Sequence, residues 1–139
     1  MKRHPALQPL SDDHHGALVL ARRLRRLPEA MAPADLEPLA FEVRQKFEVE
    51  LEPHFRTEED RLLPILVRRG AAALVDRTLD DHARLRQLVG GDWVPGTAQE
   101  IGTLLEQHVR FEERVLFPEA ESLLSERELA SVCGAPASP

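Results

Sequence analysis

Two histidine–glutamate pairs in this chain have a spacing suited to metal chemistry. Glu58 follows His54 by four residues, and Glu112 follows His108 by four. Each pair opens a matching stretch, HFRTEEDRLLP at 54–64 and HVRFEERVLFP at 108–118. The stretches share His54/His108, Arg56/Arg110, Glu58/Glu112, Glu59/Glu113, Leu62/Leu116 and Pro64/Pro118. On an α-helix a four-residue step advances about 400°, so histidine and glutamate leave one face a turn apart. Imidazole nitrogen beside carboxylate oxygen is a ligand pair for a borderline first-row transition metal.

The elements that must carry these pairs follow from hydrophobic periodicity. Ser11 has the chemistry of an N-cap, with Asp12 and Asp13 in the first turn. The helix after it carries Leu10, His14, Ala17, Ala21 and Leu24 on one seam. A second helix from near Asp35, with Pro38 in its first turn, aligns Val43, Phe47, Leu51, His54, Glu58, Leu62 and Ile65. Pro53 predicts a kink or bulge beside His54, Pro64 a second break, and Gly70 the end. A third helix over about 71–89 faces Val75, Leu79, His82, Leu85 and Val89 inward, and Gly90-Gly91 stops it. Thr97 and Glu100 predict a capping box for a fourth helix with Ile101, Leu105, His108, Glu112 and Val115 on its seam. Ser125 and Glu128 offer another box for a short fifth helix through Val132. Strand alternation is nowhere visible. The expected fold is all-α, an antiparallel up-down four-helix bundle at 10–124, with an arm at 1–9 and a short helix plus flexible tail at 125–139.

The bundle also repeats itself. Asp12-Asp13-His14 in the first helix is echoed by Asp80-Asp81-His82 in the third. The order His, His-x3-Glu, His, His-x3-Glu is one half used twice, and two such halves about a pseudo-twofold axis would aim all six groups at one another.

Composition narrows the classes. At 139 residues, 42% hydrophobic and 30% charged, the chain suits one globular domain. A net charge of −6 argues against nucleic acid, and the Arg22, Arg23, Arg25, Arg26 cluster complements the C-terminal end of a helix dipole. No apolar run reaches membrane-span length, and the first residues lack the apolar core of a signal peptide. The single cysteine, Cys133, excludes an internal disulfide and fits a reducing, cytoplasmic setting.

Singly, a seam histidine is more often a hydrogen-bonded core residue than a ligand, and a Glu at i+4 is often a surface partner. Together, four histidines on four apolar seams with two glutamates on the same seams point to metal, since glutamate is rarely buried unpaired. Four imidazoles and two carboxylates exceed the needs of one tetrahedral zinc, and no thiolate is on offer. Mixed nitrogen and oxygen ligands suit two octahedral ions such as iron or manganese. The Glu-x-x-His motif of ferritin-like di-iron bundles is absent.

Over about residues 10–120 these motifs resemble a hemerythrin-like (HHE cation-binding) domain: His14, then His54 with Glu58 in an HFxxEExxLLP motif, then His82, then His108 with Glu112. The resemblance implies a non-haem di-iron centre, bridged by the two carboxylates and an oxo or hydroxo group, with O2 reactivity. Manganese or zinc are substitutes. Oxygen-carrying hemerythrins have a second histidine four residues after the one in helix three, where this chain has Arg86. They also have an aspartate five residues after the helix-four histidine; here Glu112 stands at i+4 and Glu113 at i+5. Position i+4 shares the face of His108, whereas i+5 needs a local bulge, so Glu112 is favoured. Glu59, Glu113 and His15 stand as second-choice ligands; His15 is about 100° round the helix from His14. His4, in the arm, is set apart.

The expectation is a di-iron protein that senses O2, NO or redox state, or handles iron. A di-iron oxidase, peroxidase or NO-reducing enzyme is the alternative, and a reversible O2 carrier a further one. A metal-free helical interaction module is the reading from another class. The expected partner is O2, NO or peroxide, with neither nucleic acid nor membrane involved.

Overall fold

The computed structural model describes residues 2–133; Met1 and residues 134–139, which include most of the tail expected to be flexible, lie outside the described residues. Among the described residues the chain forms five helices and no strand. They are α1 (Gln8–Arg25), α2 (residues 33–68), α3 (Ala72–Gly90), α4 (residues 97–123) and α5 (Glu126–Val132).

Prolines shape the two helices that carry the repeated motif. In α2 two π turns, Phe47–Leu51 and Glu58–Leu62, interrupt the α-helical pieces; α4 has one, Glu112–Leu116. Each turn is closed by a wide bond: Glu52, Leu63 and Phe117 donate their N–H to the carbonyls of Phe47, Glu58 and Glu112. Pro53, Pro64 and Pro118 each lie two residues beyond a π turn, in the first turn of the next α-helical piece. Proline lacks an N–H and clashes with the carbonyl four residues back, and the extra residue of a π turn relieves both problems. The bulge expected at Pro53 is therefore present. Pro64 does not break its helix, which runs on to Arg68 before the chain turns at Gly70 (φ 88°).

Several local expectations are corrected. Helix α1 begins at Gln8, ahead of Ser11, because Pro9 occupies the first turn where its missing N–H costs nothing. The Ser11 hydroxyl instead donates to Glu113 Oε2 at 2.7 Å. Pro38 lies inside α2, which starts at Pro33. At the start of α4 the N-cap is Gly96 at φ 96°, and the Thr97 hydroxyl accepts from the Val94 N–H at 3.0 Å, so no Thr97–Glu100 box forms. The Ser125–Glu128 box does form and starts α5.

Most seam residues are buried, with two exceptions. Leu79 is exposed and Thr78 takes its place, because the stripe Leu85, His82 falls back to 78 and 75 at the helical period. Val115 is exposed and Leu116 buried, because the π turn at Glu112 shifts the phase by about one residue.

The core is in two parts. One contains Leu7, Leu10, Leu62, Leu66, Leu116 and Phe117 and is closed by Leu129 and Val132 of α5. The other contains Leu24, Val43, Leu51, Leu85, Ile101 and Leu105. Between them each long helix contributes polar residues: His14 lies between Leu10 and Ala17, His54 and Glu58 between Leu51 and Leu62, His82 between Val75 and Leu85, and His108 and Glu112 between Leu105 and Leu116. A buried polar layer thus separates two hydrophobic clusters.

Candidate metal centre

The two glutamates sit at the middle of this layer and are fully buried. Each is the first residue of a π turn. Glu58 turns Oε2 toward His54 Nε2 at 3.2 Å and Oε1 toward His82 Nε2 at 3.0 Å. Glu112 turns Oε1 toward His14 Nε2 at 2.8 Å and His54 Nε2 at 3.5 Å, and Oε2 toward His108 Nε2 at 3.1 Å. Two four-residue clusters result, His14–His54–Glu58–Glu112 and Glu58–His82–His108–Glu112, each with ligand atoms mutually within 4.8 Å. The carboxylates belong to both clusters, one oxygen to each.

A second layer of acids holds the imidazoles. His14 Nδ1 lies 2.6 Å from Glu113 Oε2, His54 Nδ1 3.0 Å from Asp13 Oδ2, His82 Nδ1 2.7 Å from Glu59 Oε2, and His108 Nδ1 2.9 Å from Asp81 Oδ2. A carboxylate on Nδ1 orients the ring and turns Nε2 inward toward the glutamates, where loss of its proton would leave a ligand lone pair. The pattern obeys the repeat: Asp13 of α1 serves α2 and Asp81 of α3 serves α4, while Glu59 of α2 serves α3 and Glu113 of α4 serves α1. All six primary candidates, His14, His54, Glu58, His82, His108 and Glu112, are brought together. Glu59 and Glu113 stand one layer out, and His15 faces solvent. Asp13 and Asp81 were not expected to act, although the echoed Asp-Asp-His triplets carried the signal.

Further contacts stiffen the layer. Phe55 stacks on His82 with ring centroids 3.8 Å apart, and His14 stacks on Phe117 at 5.5 Å. Arg86 donates from Nε and Nη2 to Glu52 and from Nη1 to Glu59 Oε2 at 2.8 Å.

Charge and burial compete throughout. Burial pushes the His108 imidazole down, but the Glu112 carboxylate and the Asp81 hydrogen bond outweigh it and hold the group at about 10. His54 is likewise raised well above its ordinary value, burial being overcome by the charge of Glu58 and by hydrogen bonds that its ring donates to Asp13 and Glu112. His14 is raised by Glu112 and Glu113 against its own burial. Burial pushes Glu112 up, yet the three surrounding imidazoles, His108 foremost, hold it well below the usual carboxylate range. Glu113 is held at about 2, its partial burial offset by His14, Ser11 and Arg3.

Proton sharing does not satisfy this layer. Glu58 Oε1 and Oε2, Glu112 Oε2, His82 Nε2 and His108 Nε2 are buried without a well-formed hydrogen bond. Buried polar atoms left unsatisfied cost about 1–3 kcal/mol each, so native proteins leave few. Here the orphaned atoms converge, and all are oxygen or imidazole nitrogen. That donor set fits a bound metal cation, and Glu58 and Glu112 are common to both clusters.

The profile of the hemerythrin HHE cation-binding domain matches residues 6–120, most of the chain. The chain belongs to this family. No curated protein and no solved structure matches it. Within the family match lie all six inner residues and all four outer carboxylates; α5 lies beyond it.

Proposed function

We propose that the chain is a di-iron protein of the hemerythrin class that responds to O2, NO or redox state. The observation that carries this reading is the sharing of Glu58 and Glu112 between two histidine pairs, which suits two ions held side by side. His14 and His54 would hold one ion, His82 and His108 the other, with both glutamates bridging. Imidazole and carboxylate together favour iron over zinc, which prefers a single closed tetrahedral set. Iron bound there supplies electron transfer to or from a diatomic ligand. The short connections at residues 26–32, 69–71 and 91–96 support an antiparallel, up-down course for the four long helices.

Arg86 bears on what such a centre does. It occupies the position of the extra histidine in oxygen carriers, and a guanidinium cannot ligate a cation. Its contacts with Glu52 and Glu59 keep it outside the centre. With one imidazole fewer, oxidation of the iron is favoured over reversible O2 storage. Among the described residues no helix is long and apolar enough to cross a membrane, and a cytoplasmic location accords with the one free cysteine, Cys133.

The test is anaerobic titration of metal-free protein with iron(II), then air, followed by absorption. Two irons per chain and prompt, argon-irreversible oxidation are expected. A single tetrahedral zinc, or no iron uptake, would overturn the metal reading. Recovery of iron(II) under argon would show a carrier, and sustained consumption of peroxide or NO would show an enzyme.

A further inference from the structure

The four outer carboxylates are alike in what they hold but not in what covers them. Arg3 Nη2 lies 3.0 Å from Glu113, Arg86 Nη1 2.8 Å from Glu59, and Arg77 Nε 3.6 Å from Asp81. Arg3 and Arg77 also lie over Phe117 and Phe111, which seats their guanidiniums over the protein surface. Asp13 alone has no arginine or lysine within ion-pair distance among the described residues. Its side chain is 53% exposed, against 30% for Glu113, 22% for Glu59 and 13% for Asp81. The repeat is broken at this one corner.

A cavity opens at the same corner. It holds about 520 Å³ between α1 and the first π turn of α2, and His54 is among its lining residues. A water molecule occupies about 30 Å³ of liquid, so the space admits a hydrated ion with its shell. Asp12, Asp13 and Glu50 line it against one ammonium, Lys46, which is itself paired with Glu50 at 3.6 Å. Three carboxylates against one cation give a field that concentrates cations. The His54 ring links Asp13 on one edge to the inner glutamates on the other, and its Nε2 makes the longest inner contacts, 3.2 and 3.5 Å.

We propose that this cavity is the port through which divalent metal ions reach the centre, with Asp13 as the carboxylate that receives the ion and passes it to His54. The proposal rests on the metal reading above. A neutral diatomic molecule gains nothing from an acidic rim, whereas a hydrated dication does. Asp13 can release His54 toward solvent without losing a second partner, because none holds it. The His14–His54 position fills first, and the second ion follows through it across the shared glutamates.

The test is the rate at which metal-free protein takes up iron(II) anaerobically, with cobalt(II) as a second probe. Gly16 lines the cavity, and a Cβ there would meet only Glu50 Oε1 at 3.6 Å, so Gly16→Leu fills the space. Val49→Trp narrows it from the other wall, where Val49 is 73% exposed and the fold is not at stake. Thr103→Leu, in the groove beside Gln99 and Gln107 on α4, is the control. Expected are two ions per chain in every variant, with uptake slowed tenfold or more in Gly16→Leu and Val49→Trp and unchanged in Thr103→Leu. Uptake at the wild-type rate in both cavity variants overturns the port. So does a result in which they slow only the reaction of loaded protein with O2, which would make the cavity a gas channel. Failure of the wild-type chain to bind metal overturns the reading beneath it instead.

Discussion

Replacing Asp81 with asparagine should weaken one metal position far more than the other. Asp81 Oδ2 lies 2.9 Å from His108 Nδ1 and its side chain is only 13% exposed, so water cannot readily take its place. Asparagine keeps the shape and can still accept from Nδ1–H, but removes the negative charge that makes Nε2 a strong donor. Loss of such an outer partner typically lowers metal affinity 10- to 100-fold, about 1.4–2.7 kcal/mol. The low exposure of Asp81 places it toward the upper end of that range. Asp13→Asn, at a side chain 53% exposed, should fall toward the lower end, because solvent already screens that charge. Anaerobic competition against a chromophoric chelator gives two stepwise constants for each protein. Denaturant unfolding of the chelated proteins separates loss of fold from loss of affinity. The expected result is one constant reduced at least tenfold in Asp81→Asn, with the other changed much less. Two constants within twofold of wild type would refute the reasoning, since the Asp81 charge would then contribute nothing to the donor strength of His108.

The remaining predictions concern pH and packing. In metal-free protein the raised imidazoles bind protons that the unfolded chain releases above about pH 6.5. Their contribution to stability should be complete below that pH and be lost as pH rises toward about 10, where His108 titrates. Metal uptake should show the opposite trend, tightening with pH and releasing protons measurable as a buffer-dependent binding enthalpy; uptake independent of pH between 6 and 8 would contradict it. Gly102→Ala should destabilise the chain, because a Cβ would lie 2.7 Å from the Ala21 carbonyl oxygen and 2.8 Å from Arg25 Cγ. Overpacking of about 1–3 kcal/mol, offset by up to about 1 from helix propensity, should lower the urea midpoint without changing its slope. Phe55→Ala should cost about 3–5 kcal/mol and loosen His82, seen as a lower metal-free melting temperature.

Much of the inner layer was legible because side-chain period and ligand chemistry coincide. His54 with Glu58, and His108 with Glu112, are local pairs whose meeting depends only on a helix. The outer layer was not legible to the same depth. Asp13 reaches His54 from another helix, and Glu113 reaches His14 across 99 residues of sequence. Such contacts depend on how helices sit against one another, which periodicity does not encode. The π turns were half visible: Pro53 announced one, yet Pro64 reads as a break in a sequence and behaves as a restart in the structure. Val115 was misplaced for the same reason. A seam extrapolated at a constant 100° per residue runs off the core wherever one residue is inserted into the turn.

Those insertions also explain why two adjacent glutamates can take two different roles. Residues one apart on a regular α-helix point about 100° from each other. Glu112 and Glu113 must reach the centre and the Nδ1 edge of His14, just as Glu58 and Glu59 must reach the centre and His82. Placing the first of each pair at the head of a π turn widens the helix where both carboxylates project, and Pro64 or Pro118 makes the wide turn the cheaper conformation. The repeated Glu-Glu-x-x-x-x-Pro is therefore a single device. The proline sets the backbone, the first glutamate is turned to the buried centre, and the second holds the histidine of a neighbouring helix. Where the halves differ is in the arginines over that outer ring. Two ions held as proposed would be treated alike by the shared inner set, and this outer ring would make them inequivalent.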